Sequence, residues 1–162
     1  MRTLFVDPGV TCCGWAVYQG RKLIWCGLSR TKEKDLAQRA RAHVDALSRL
    51  SPDLSFDFDR VVIEKPQVYQ QRFWEGDPGD LIDLAVVVGA VACAARKCAV
   101  SLVLPKEWKG QVPTEVLERR LPQHEKEMLQ DPLVLGTPST APPSLRHNIV
   151  DAISMGIWFV NK

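Results

Sequence analysis

The sequence predicts an α/β fold, a mixed sheet of five strands flanked by helices. Three observations carry this expectation. Three apolar segments at the start of the chain are separated only by short turns, which predicts a meander. Further β-branched segments then alternate with segments of helical period, the pattern of strands connected through helices. Finally, 46% of the 162 residues are hydrophobic and no composition shift divides the chain, so residues 1–162 are read as a single domain with a sizeable core.

Thr3 to Asp7 is a continuous apolar run ending in an acid, as expected of a strand covered on both faces. The chain turns through Pro8 and Gly9, and Gly14 to Tyr18 reads as the hairpin partner. Lys22 to Ser29 follows the Gln19-Gly20 turn as a third strand. From Lys32 to Leu50 the apolar residues Leu36, Ala40, Val44, Leu47 and Leu50 keep helical spacing, and Ser51-Pro52 stops the helix. Arg60 to Glu64 is a fourth, β-branched strand, and the polar, aromatic stretch Lys65 to Gly79 is a loop. Asp80 is placed to cap a helix reaching about Cys98. That helix is apolar all round and needs cover on more than one face, from the sheet and from a partner subunit. Ser101 to Leu104 is the fifth strand; Pro113 opens a helix reaching Leu121, and Glu125 to Leu129 extends the helical region. Leu135 to Ser144 is a loop rich in Pro, Thr and Ser, with Ser144 placed to cap the last helix, Arg146 to Val160.

The longest apolar run, Leu84 to Ala95, is shorter than the ~20 residues that span a bilayer, and the chain opens without a basic segment followed by an apolar signal core. No membrane role is expected. Five cysteines form no paired metal-binding pattern with histidine, which argues against zinc and fits a reducing, cytoplasmic setting. Net charge is only +2, but Arg21 to Arg41 and Arg96 to Arg120 are locally basic, a footprint suited to phosphates.

Acids at the ends of apolar elements are the most informative feature. Asp7 closes the first strand, Glu64 closes the fourth, and Asp151 sits within the apolar HNIVDAISMGIW. A poorly solvated carboxylate is unfavourable unless a cation meets it. Three acids converging therefore point to a bound divalent ion, whose charge reverses the local electrostatics.

The segments DPGVTCCGWAVY, VVIEKPQVY, LPKEWKGQVPTEVLERRL and HNIVDAISMGIW, in this order and spanning nearly the whole chain, resemble the RuvC-type Holliday junction resolvases of the ribonuclease H-like nucleases, especially the short phage-type forms. The resemblance implies a ribonuclease H-like fold in a bacterial or phage-infected cell. It implies a metal-dependent endonuclease that resolves four-way junctions by paired nicks, using two Mg²⁺ ions, with Mn²⁺ able to substitute, and no nucleotide cofactor. Asp7, Glu64 and Asp151 would be ligands. The family's usual acid or histidine three residues before the final Asp is replaced here by Asn148, so His147, one turn before Asp151, is the preferred fourth donor and Asn148 the weaker one.

Lys109 matches the family's lysine near the scissile phosphate, with Lys106 beside it. Lys65, Arg119 and Arg120 would hold backbone phosphates, and Tyr69, Phe73 and Trp74 would stack on unpaired bases. Two symmetric cuts imply a homodimer through the Leu81 to Ala95 helix. Two other readings fit the same acids less specifically: a debranching nuclease acting on three-way junctions, forks or flaps, and a non-catalytic scaffold that binds branched DNA. An actin-like ATPase, which shares the DPGVT-type turn, would need a second such domain.

Overall fold

The computed structural model describes residues 1–51, 56–67 and 77–162. Its strands are β1 (Arg2–Asp7), β2 (Cys12–Gln19), β3 (Lys22–Arg30), β4 (Arg60–Glu64), β5 (Ala99–Val103) and β6 (Leu133–Gly136). The helices are α1 (Leu36–Ser48), α2 (Pro78–Ala94), α3 (Pro105–Trp108), α4 (Thr114–Arg120), α5 (Gln123–Met128) and α6 (Arg146–Val160). The strands form one sheet in the order β5-β4-β1-β2-β3-β6. Only β2 is antiparallel to its neighbours, because short turns join it to both β1 and β3. The other five run the same way, so their carboxyl ends share one edge of the sheet.

Among the described residues, six strands replace the five expected. The addition, β6, lies beside β3 from Gly27↔Leu133 to Arg30↔Gly136, overlapping the stretch read as a loop from Leu135. With Pro132 before it and Gly136 (φ 87°) ending it, four residues are too few to show a period of two. Helix starts also differ. Asp77, not Asp80, caps α2, accepting from the Gly79 N–H, while Ser144 lies in a 3₁₀ turn and gives α6 no side-chain cap. Pro113 is the residue before α4 rather than its first, and the single turn of α3 interrupts what read as a connection.

Alternation along the central strands divides the core in two. Leu4, Val6, Trp15, Val61 and Ile63 pack under α1 and α2. Phe5, Tyr18 and Val62 face the opposite way, against Ile149, Val150 and Ile153 of α6. The two next residues in phase with Phe5 and Val62 are Asp7 and Glu64, so both terminal acids fall on the α6 side.

Two glycines let α6 lie close on β2. A Cβ on Gly14 would stand 2.0 Å from the Asn148 carbonyl oxygen, and one on Gly156 would stand 2.3 Å from the Tyr18 ring. Tyr18 also donates its buried hydroxyl to the Ile153 carbonyl at 3.1 Å. Because Gly14 is the register partner of Asp7, this close approach brings the helix directly over the end of β1.

On the other face, buried His43 of α1 bridges Ser29 of β3 (2.8 Å to Nδ1) and the Val10 carbonyl (3.2 Å to Nε2). A carbonyl only accepts, so Nε2 carries the proton and Nδ1 accepts from the Ser29 hydroxyl. Burial lowers the His43 pKa and keeps this neutral form.

Candidate active site

β1 and β4 are parallel neighbours, with Val6 opposite Ile63, so Asp7 and Glu64 end adjacent strands about 4.8 Å apart in the sheet. α6 supplies Asp151, buried, from above. Burial, and then the charges of Glu64 and Asp151, push the Asp7 carboxyl well above its usual range, while Lys109 opposes the shift. Burial and Asp151 also push Glu64 up to about 7, against the Trp108 hydrogen bond and Lys109. Asp7, Glu64 and Asp151 thus lie within electrostatic reach of one another, and the cation that opposes the shift at both Asp7 and Glu64 is Lys109.

That lysine comes from the end of α3. Its Nζ lies 2.5 Å from Asp151 Oδ2 and 2.8 Å from Thr114 Oγ1, and the Thr114 hydroxyl reaches Asp151 Oδ1 at 3.0 Å. Trp108, preceding it, donates its indole N–H to Glu64 Oε2 at 2.9 Å. Asp151 is thus turned toward a lysine and a threonine, and Glu64 toward an indole. As these side chains are placed, no three His, Cys, Asp or Glu residues among the described ones stand close enough to share an ion. The donor set nonetheless suits a hard divalent cation: three carboxylates, with the neighbouring Cys12 and Cys13 held as thiols by burial, and mutual repulsion that a metal charge would relieve.

The two candidates for a fourth donor differ in setting. Helical geometry puts His147 within about 40° of Asp151 around the axis and Asn148 within about 60° on the other side. His147 is exposed, whereas Asn148 is half-buried beside Cys12 at the start of β2, where its amide opposes the rise of the thiol pKa caused by burial. The start of α6 is held separately, by Arg146 donating to Glu118 (2.8 Å) and to the Leu129 carbonyl (3.0 Å).

Among the residues expected to meet DNA, Lys65 and Lys106 are exposed at the same sheet edge as Asp7, and the Lys65 N–H donates to the Val103 carbonyl at 2.7 Å. Arg119 and Arg120 are exposed at the end of α4, about 8–9 Å along the helix from Thr114. Tyr69, Phe73 and Trp74 lie outside the described residues.

Sequence reasoning missed Trp108, Thr114 and Gly14. The first two sit in EWKGQVPTE, where the tryptophan next to the lysine was the available signal; a threonine opening a short helix carried none. Gly14 looked like an ordinary strand residue, and its role depends on a helix more than a hundred positions away.

No family model matches the sequence, and no curated protein matches it. Similar folds occur among solved structures. RuvC of T. thermophilus in complex with a Holliday junction substrate superposes with a TM-score of 0.59 and 18% identity, over 95% of this chain and 91% of that one. The yeast mitochondrial Holliday junction resolvase Ydc2 gives 0.58 and 10%, over 98% of this chain and 78% of that one. The fowlpox virus Holliday junction resolvase gives 0.56 and 12%, over 99% and 98%. The chain has the ribonuclease H-like fold of these proteins.

Proposed function

We propose that the chain is a RuvC-type resolvase: a metal-dependent, structure-selective endonuclease that cuts four-way DNA junctions by paired nicks. The observation that carries this is the grouping of Asp7, Glu64 and Asp151, from β1, β4 and α6, on the α6 side of the sheet, each acid within electrostatic reach of the others. The fold and this donor set agree, and each is the kind that phosphodiester hydrolysis needs.

Asp7, Glu64 and Asp151 would hold the metal, with His147 as the preferred fourth donor and Asn148 as the weaker one. Two Mg²⁺ ions, or Mn²⁺ in their place, would stabilise charge on the attacking and leaving oxygens. The protein's own residues do the rest. Trp108 fixes the direction of one Glu64 oxygen, Oε2, and so limits how the carboxylate can turn. Lys109 supplies a cation where negative charge develops on the phosphate. Lys65, Lys106, Arg119 and Arg120 hold flanking backbone phosphates and set the register of the DNA without reading its sequence. Tyr69, Phe73 and Trp74 stack on bases freed at the branch point.

A homodimer presents two such sites to the two strands that must be cut. Support for α2 as the interface is its outward apolar surface: Ile82 is 66% exposed and Val86 40%.

The test is cleavage of labelled four-way, three-way and linear DNA with Mg²⁺, beside an Asp7→Asn control. Paired, symmetric nicks confined to the four-way junction and absent in the control are expected. Comparable cutting of three-way or forked DNA would make it a debranching nuclease, and metal-independent binding without cutting would make it a scaffold.

A further inference from the structure

We infer that Lys109 and Thr114 form a clasp on Asp151 that competes with a divalent cation for this carboxylate and must open before the site accepts one. The inference rests on the metal-dependent reading above and adds to it a competition within the protein's own side chains.

The contacts form a closed ring. Lys109 Nζ donates to Asp151 Oδ2 at 2.5 Å and to Thr114 Oγ1 at 2.8 Å, and the Thr114 hydroxyl in turn donates to Asp151 Oδ1 at 3.0 Å. The direction of each bond is set by chemistry, since an ammonium only donates and an ionised carboxylate only accepts. Both oxygens of Asp151 are therefore engaged, one by a cation and one by a hydroxyl. The ion pair is sheltered, with Lys109 21% and Asp151 12% exposed at the side chain, so water screens it weakly.

Local backbone geometry builds the clasp. Lys109 follows α3 and Thr114 opens α4, and the intervening turn is closed by the Lys109 and Gly110 N–H groups, which both donate to the Pro105 carbonyl. Gly110 takes a φ of 60°, which a side chain would resist. The turn thus delivers both jaws to one carboxylate across 37 and 42 residues of sequence.

An ammonium and a dication a few ångströms apart in a sheltered site repel strongly, so Lys109 on Asp151 and metal on Asp151 are competing states. Asp151 can turn both oxygens to a metal only after Lys109 has swung away and Thr114 has released Oδ1. Lys109 has a flexible four-carbon stem, and its ammonium already lies 5.7 Å from the Trp108 ring, a second surface that can hold a cation. A backbone phosphate of the DNA would take the released ammonium more strongly. By linkage, DNA that draws Lys109 off Asp151 favours metal binding, and metal that displaces Lys109 favours DNA binding.

The test is Mn²⁺ binding to the full chain without DNA, followed by the loss of the free-ion electron paramagnetic resonance signal, with folding of each variant checked by circular dichroism. Lys109→Met should bind Mn²⁺ about tenfold tighter than wild type. Thr114→Val should bind about threefold tighter, with the double variant gaining less than the product of the two. Affinity of Lys109→Met equal to or weaker than wild type overturns the clasp while leaving the metal site standing. If wild type binds no tighter than Asp7→Asn, the metal reading itself falls and the clasp with it. A second measurement needs no variant: the Lys109 ammonium resonance should shift as Mg²⁺ is added to wild type, and an unmoved signal at saturating Mg²⁺ overturns the inference.

Discussion

The indole N–H of Trp108 is bonded to Glu64 Oε2 at 2.9 Å, joining the end of β4 to the turn that follows β5. The bond favours the ionised carboxylate, against burial and the Asp151 charge, which together push Glu64 from 4.5 up to about 7.

A pH dependence of stability follows from that balance. A carboxyl raised on folding holds a proton that the unfolded chain has already lost, so its contribution is complete below about pH 4.5 and is lost as pH rises through about 7. In a chelator, the melting temperature should fall across this window, and Glu64→Gln should flatten the fall. Trp108→Phe should move the steepest loss to higher pH. Melting curves of Trp108→Phe that superpose on wild type at every pH would mean the indole bond contributes nothing.

Replacing His147 by Ala should slow single-turnover cleavage by about 100-fold, the scale of a positioned acid, base or ligand. Asn148→Ala should leave the rate within about threefold, because that side chain is half-buried beside Cys12 while His147 is exposed. The opposite ranking would assign the fourth donor to Asn148.

Gly14→Ala should destabilise the protein by about 1–3 kcal/mol in urea denaturation, since its methyl group meets backbone, the Asn148 carbonyl, at 2.0 Å. Relief requires α6 to move off β2, carrying Asp151 away from Asp7. Cleavage should fall along with stability, and wild-type stability would show that the helix tolerates the shift.

Charging the outer face of α2 tests the dimer. Ile82→Glu together with Val86→Glu should give a monomer at micromolar concentration by sedimentation, with nicking of one strand replacing paired cuts. A wild-type protein that sediments only as a monomer would remove the interface from this helix.

The meander, the fourth strand and the final helix were legible because each pairs an apolar period with a clear boundary. Arg60–Glu64 and Arg146–Val160 match the expected limits. Asp7, Glu64 and Asp151 stood out for the same reason, as acids where an apolar pattern leaves no room for them. β6 was not legible, since its stability comes from lying against β3 and not from its own four residues. Thr114 and Trp108 were hidden for a related reason: their partners lie 37 and 44 positions away, and hydrogen bonds across such distances leave no spacing to read.

The Ser29–His43–Val10 chain bears on which parts of the site can move. The turn leaving Asp7 is bolted through His43 to α1, and α6 is seated on glycines that leave no slack, so these parts behave as a rigid frame. The α3–α4 corner is packed on the same core through Leu121 and tied to α6 by Arg146 on Glu118, and it meets the carboxylates through the tips of Trp108, Lys109 and Thr114. Backbone is thus fixed on every side of the carboxylates, and the adjustable parts of the site are the long side chains that reach over them, Lys109 foremost.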